Sequence, residues 1–282
     1  MKLRIIHETE YQFTSEVFLE PHYLRLKPRT APHNRLESFM LAITPGPAGL
    51  SHQSDEEENL VHFCWFEGMT RSLSIRTESV VITEPYNPFN FIIHPAIFSQ
   101  LPFEYADHQK KLLEPDLNHP ALSNLLIGYG SKIADRSSYN TITFLTDLTR
   151  QIHDDFVLEY REVGFPHQPN EAFALKQGSC RDIAWMQINL LRSMGIAARF
   201  VSGYYYFEME KPQFELHAWL EAFLPGAGWV GFDPSHGIIA GPTHIPIVSS
   251  SNYENTMPVT GTIRGDAGAS LAAKVTIEEM DK

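Results

Sequence analysis

Cysteine is scarce in this chain: two thiols, Cys64 and Cys180, among 282 residues. So few, with no close-spaced Cys-x-x-Cys pair, argue against a disulfide framework. Positive charge is also short. Lys and Arg number 22 against 34 acidic residues, a net charge of −12, which argues against nucleic acid or an anionic membrane surface as partner. No apolar run reaches the roughly 20 residues that cross a bilayer. The opening residues, Met1-Lys2-Leu3-Arg4-Ile5-Ile6-His7-Glu8, turn polar too soon for a signal peptide. No internal repeat is present. These absences together point to a cytoplasmic protein with reduced thiols and no membrane association. The remaining composition, 43% hydrophobic over this length, suits one large or two modest globular domains.

The first part of the chain reads as strands. Leu3, Ile5, His7, Thr9, Tyr11 and Phe13 alternate with mostly polar neighbours, the two-residue period of a half-buried strand. Phe39, Leu41 and Ile43 repeat the pattern, and Thr44-Pro45-Gly46-Pro47 closes it with turn chemistry. Runs at 60–66 and 71–83 add two more strands, and the acidic stretch Asp55-Glu56-Glu57-Glu58 between strands reads as a solvated hairpin end. The expectation is an antiparallel, sandwich-like β domain over residues 1–100, a linker with one short helix (120–126) over 101–140, and a second domain with a C-terminal tail over 141–282.

In that second part, Ile142, Leu145, Leu148 and Ile152 recur at helical spacing. A short helix is expected at 171–176, broken by Gly178. Ile183, Ala184, Ile188, Leu190, Leu191 and Met194 cover most of the next helix's circumference, and a helix apolar nearly all round is buried. Gly195 stands where helices commonly stop. Strand-like runs follow at 198–207, 214–223 and 229–232, with a turn at 224–228 and a segment at 272–277 able to return as an edge strand.

Three residues carry the chemistry. Cys180 lies in Gln177-Gly178-Ser179-Cys180-Arg181-Asp182, at the start of the apolar helix. Only the thiolate is a strong nucleophile, and the positive end of a helix and a nearby imidazolium both favour the anion. The unpaired N–H groups of a first helical turn, beginning with that of Cys180, suit an oxyanion. His217, in Leu216-His217-Ala218-Trp219, lies in a strand and faces one side. Asp233, in Gly228-Trp229-Val230-Gly231-Phe232-Asp233-Pro234, ends the next strand. Adjacent antiparallel strands bring the last two together, and an aspartate on one ring nitrogen leaves the other for the thiol. Cys64, inside a strand, reads as a packing residue, and Trp219, Trp229 and Phe232 as packing around the site.

These segments resemble the transglutaminase-like superfamily, in particular the bacterial branch described as cysteine proteases. The resemblance rests on Gly178-Ser179-Cys180-Arg181-Asp182, on Gly195-Ile196-Ala197-Ala198-Arg199-Phe200-Val201-Ser202-Gly203-Tyr204, on His217-Ala218-Trp219 and on Gly228-Trp229 through Asp233-Pro234. It implies an α+β protein: the N-terminal β-sandwich-like domain, then a papain-like, transglutaminase-like core with the cysteine-bearing helix against an antiparallel sheet. It implies a Cys180, His217, Asp233 triad attacking a carboxamide or peptide carbonyl through a thioester, with a peptide or protein as substrate. No cofactor or metal is implied, and no calcium loop is recognisable. Some relatives oppose the backbone oxyanion donor with an aromatic side chain; Tyr160 and Gln177 are candidates here, and neither is assigned. Asp182 fits the motif, its first-turn charge favouring the helix dipole.

The leading expectation is therefore a cysteine-dependent hydrolase of peptide or amide bonds, with acyl transfer to a primary amine as the close alternative. A metal-binding protein is a second class, since Cys180, His217 and Asp233 are acceptable zinc ligands and His236 is near enough for a fourth. A non-catalytic binding module is a third, against which the complete triad argues.

Overall fold

The computed structural model describes residues 1–161, 164–207 and 216–280. Five strands open the chain: β1 (Lys2–Leu24), β2 (Asn34–Thr44), β3 (Gly49–Ser54), β4 (Leu60–Trp65) and β5 (Met69–Thr83). They pair antiparallel in the order β2-β5-β1-β4-β3. Leu3, Ile5, His7 and Thr9 of β1 are buried in alternation with more open neighbours, as the sequence pattern requires. The β1–β5 register shifts between Gln12 and Val17, an irregularity of the kind that bends a long strand. The sheet curls over an apolar interior of Val17, Leu19, Leu24, Cys64, Phe66, Leu73 and Ile75, so one connected sheet supplies the sandwich-like packing.

The helices follow: α1 (Asp107–Leu112), α2 (Glu114–Leu117), α3 (Asn124–Arg136) and α4 (Thr141–Asp155). Next come β6 (Val157–Leu158), α5 (Pro169–Leu175), β7 (Gln177–Gly178) and α6 (Cys180–Ser193). A second antiparallel sheet has the order β11-β10-β9-β8-β12. Its strands are β8 (Ala198–Tyr205), β9 (Leu216–Leu224), β10 (Gly228–Asp233), β11 (Ile238–Ile239) and β12 (His244–Ser250). Residues 214 and 215 of the strand expected over 214–223 lie outside the described residues.

Every residue of α6 from Asp182 to Arg192 is buried, between the second sheet and α3, α4 and α5. Truncating Ile188 or Leu191 to alanine, both with no exposed surface, would cost about 2–5 kcal/mol each. Gly195 stops the helix with φ +81°, a conformation that a Cβ disfavours.

Four expectations need correction. The stretch 101–140, read as a linker, is part of the core: Leu101, Phe103, Tyr105, Leu113, Leu126 and Ile133 all bury there. The short helix expected at 120–126 begins only at Asn124, where the Ser123 side chain accepts from the Leu126 N–H, and it runs on to Arg136. The tail assigned to the second domain returns to the first. β13 (Val259–Arg264) and β14 (Ala269–Glu279) pair antiparallel with β1, β14 along the edge opposite β5. Nor is the acidic hairpin end simply solvated: Asn59 bonds both the N–H and the carbonyl of Ser249, and Glu57 accepts from the Ser251 N–H.

The two sheets therefore share a seam. Leu3, Ile5, Val81, Val275 and Ile277 of the first meet Tyr204, Ile245, Ile247 and Val248 of the second. Arg29 crosses it to Glu221, which also holds Arg199 at 2.7 Å.

Candidate active site

Cys180 is the first residue of α6, with Ser179 at the N-cap. Asp182 fixes this turn. Its Oδ2 accepts from the Ser179 N–H at 2.7 Å and the Ser179 hydroxyl at 2.5 Å, while Oδ1 accepts from the His167 N–H at 2.7 Å and Arg161 at 2.5 Å. Burial opposes its ionisation, but these donors outweigh burial and hold its carboxyl below the ordinary value. Asp182 is thus a buried anchor between the helix start and the segment before it, a role that the helix-dipole reading missed. The only sequence signal was its fixed place two residues after the cysteine. Gly178 permits the approach, since a Cβ there would meet the Asp182 Cβ at 2.8 Å. Pairing of β6 with β7 and the Glu159 N–H bond to the Gly178 carbonyl at 2.9 Å brace the chain before the thiol. Tyr160 and Gln177 are both exposed.

His217 stands on β9 opposite Gly203 of β8, a neighbour with no side chain to block it. Its Nε2 lies 2.8 Å from Asp233 Oδ2. Asp233 ends β10, the strand beside β9, and is fully buried. Burial works against charge on His217, but Asp233, by charge and hydrogen bond, and Cys180, likewise through both, raise its pKa to about 10. Cys180 is partly exposed and within interacting reach of this ring. Asp233 is held well below the ordinary carboxylate range: burial raises it, but the charge of His217 and hydrogen bonds from three imidazoles prevail.

Two of those imidazoles were not foreseen as partners of Asp233. His236 Nδ1 is 2.8 Å and His244 Nε2 3.1 Å from the same Oδ2, while Oδ1 accepts from the Ser235 N–H at 2.9 Å. His244 Nδ1 accepts from the Gly241 N–H at 3.3 Å, so the proton of a neutral His244 sits on Nε2, facing Asp233. The Tyr205 ring covers all three imidazoles, at 5.4 Å from His217, 4.3 Å from His236 and 4.6 Å from His244. His236 follows Asp233 closely enough to be noticed in sequence; His244 carried no signal, because its contact depends on where β12 lies. Trp219 packs beside His217 and His244, whereas Trp229 packs on Phe223 and Arg199 and Phe232 lies in the core. Among the described residues, the ligand atoms of His217, Asp233 and His236 come within 4.8 Å of one another; Cys180, proposed from sequence as a fellow zinc ligand, is not in that group. Cys64 faces the interior of the first sheet, and burial pushes its thiol up to about 11, partly opposed by a hydrogen bond at the His22 backbone.

A cysteine-headed helix buried against an antiparallel sheet that carries a histidine and an aspartate is the papain-like, transglutaminase-like class of α+β fold. The chain carries two regions that match transglutaminase-like family models. A bacterial transglutaminase-like N-terminal region matches residues 3–82, and the transglutaminase-like superfamily core matches residues 132–234. A crystal structure of a candidate cysteine protease from Cytophaga hutchinsonii superposes with a TM-score of 0.71 at 18% identity, covering 100% of this chain and 92% of that one. An uncharacterised protein of Mycobacterium tuberculosis is 25% identical over 275 residues, 93% of this chain and 87% of the relative. A protein-glutamine gamma-glutamyltransferase of Pseudomonas aeruginosa is 34% identical over 73 residues, 23% of this chain and 11% of the relative. No helix among the described residues is long and apolar enough to cross a membrane.

Proposed function

We propose that the protein is a cysteine-dependent hydrolase of peptide or amide bonds. The observation that carries this reading is the convergence of Cys180, His217 and Asp233 from a helix start and two neighbouring strands. The Cys180 thiolate attacks the carbonyl carbon, and the carbonyl electron pair moves to oxygen, where the N–H groups of the first helical turn are the natural donors. As the tetrahedral centre collapses, the C–N bond breaks and His217 gives its proton to the leaving amine. The thioester that remains is attacked by water, whose proton His217, now neutral, takes up. Collapse breaks the C–S bond with its electron pair on sulfur, releasing the acid and leaving the Cys180 thiolate beside the protonated His217. Asp233 keeps the imidazole oriented and favours its charged form.

The same thioester can be resolved by a primary amine instead of water. The name of the Pseudomonas aeruginosa relative favours testing this second reading. An activity-based thiol probe, followed by a peptide library offered with and without a primary amine, separates the outcomes. Labelling of Cys180 with release of free acid supports hydrolysis, and amine incorporation supports transfer. Turnover retained by Cys180→Ala would overturn both.

A further inference from the structure

We propose that His217, Asp233 and His236 form a binding site for a divalent zinc ion, and that zinc held there blocks the thiol chemistry. The argument begins with lone pairs. A carboxylate oxygen offers two in its plane, yet three imidazole nitrogens lie within 2.8–3.1 Å of Asp233 Oδ2. His244 is committed as a donor, because its other nitrogen accepts from the Gly241 N–H. His217 Nε2 and His236 Nδ1, each at 2.8 Å, crowd the rest of the same oxygen. A cation among the three resolves this. It takes a lone pair from each of these nitrogens and one from Oδ2, and leaves the other Oδ2 lone pair to His244.

The donor set is two imidazole nitrogens and one carboxylate oxygen, which suits zinc at about 2.0–2.2 Å per bond and leaves a fourth position for water. The three ligand atoms lie within 4.8 Å of one another, and bonds of about 2.1 Å to one tetrahedral ion require the two 2.8 Å contacts to open by about half an ångström. The surroundings are built to hold the carboxylate, with Ser235 N–H on Oδ1 and His244 on Oδ2, as supporting shells around metal ligands commonly are. His236 is about one-third exposed and gives the ion a way in. Zinc binds imidazole only at an unprotonated nitrogen, so a zinc-bound His217 and the doubly protonated His217 of the acylation step exclude one another. The binding claim is independent of the proposed reaction; the inhibitory consequence rests on it.

The test is calorimetric titration of zinc chloride into the full chain, its Cys180→Ala variant and its His236→Ala variant, each checked for fold by circular dichroism. His236→Gln serves if the alanine variant unfolds. One zinc per chain is expected in the wild type and, with affinity within about threefold, in Cys180→Ala. Loss of His236 should weaken binding by at least the roughly tenfold that removing a supporting partner costs. No binding by the wild type, loss of binding in Cys180→Ala, or unchanged binding in the His236 variant would each overturn the site. So would a thiolate-to-metal charge-transfer band when cobalt(II) replaces zinc. Labelling of Cys180 by the thiol probe should fall with zinc and recover with a chelator. Bound zinc with unaltered labelling would overturn the inhibitory half alone.

Discussion

His7 in the first sheet and His217 in the second are both largely withdrawn from water, yet they respond in opposite directions. Burial pushes His7 down to about 4; among the described residues its ring bonds neutral hydroxyls, those of Tyr204 at 3.0 Å and Thr9 at 3.3 Å. His217 is also penalised by burial, but Asp233 and Cys180 raise it to about 10. The cysteines differ in their settings. Cys64 is walled into the curl of the first sheet and pushed up to about 11, while Cys180 opens a helix beside a chargeable ring. Desolvation alone makes a neutral packing residue. Desolvation with a fixed counter-charge makes an ion pair that can be put to chemical use.

The largest effect should come from the cysteines. Cys180→Ala should lower turnover by about 10⁴-fold or more with the fold retained, whereas Cys64→Ala should keep turnover and lose about 1–2 kcal/mol of stability by denaturant titration. Equal losses of activity in the two would erase the contrast. Asp233→Asn should come next, with a loss of roughly 10³–10⁴-fold as the imidazole loses its orienting charge; a rate within tenfold of wild type would remove Asp233 from the mechanism. Iodoacetamide at about pH 6, followed by peptide mapping, should modify Cys180 at least about tenfold faster than Cys64, since the walled-in thiol is neither exposed nor ionised; comparable rates would count against an activated thiol.

The smallest effects should appear in stability against pH. His217 is raised from 6.5 to about 10, so its contribution is full below about 6.5 and is lost as pH rises through about 10. His7 is lowered from 6.5 to about 4, so stability tied to its neutral form is present above about 6.5 and falls as pH drops through about 4. Denaturant midpoints across this range should show both limbs. Asp233→Asn should flatten the alkaline limb and His7→Gln the acid one. A single variant that flattened both would show the two sites to be coupled through the seam.

Much of the candidate site was legible because it is written in short-range rules. Gly178-Ser179-Cys180 ahead of an apolar run marks a helix start, and the turn at 224–228 makes β9 and β10 neighbours, which brings His217 to Asp233. Asp182 could be seen but not its distant partners, since Arg161 and the His167 N–H reach it from another segment. The stretch 101–140 looked like a linker because its aromatics follow no period. They follow none because Phe103 and Tyr105 pack on each other, on Phe98 and, through Tyr105, on Phe223 of β9 rather than line one face of an element.

Short-range rules in the chain account for the strand alternation of β1, the all-round burial of α6 and the local framework that places a thiol, an imidazole and a carboxylate on a helix start and adjoining strands. Periodicity, caps and turns act over a few residues, and their energies do not depend on distant chain. Long-range packing was needed to close β14 on β1, to dock the hairpin at Asn59 on β12, and to bring His236 and His244 beside His217 on one oxygen of Asp233. Those contacts join segments up to hundreds of residues apart, and which edge or lone pair is free to receive them is settled only when the whole chain packs.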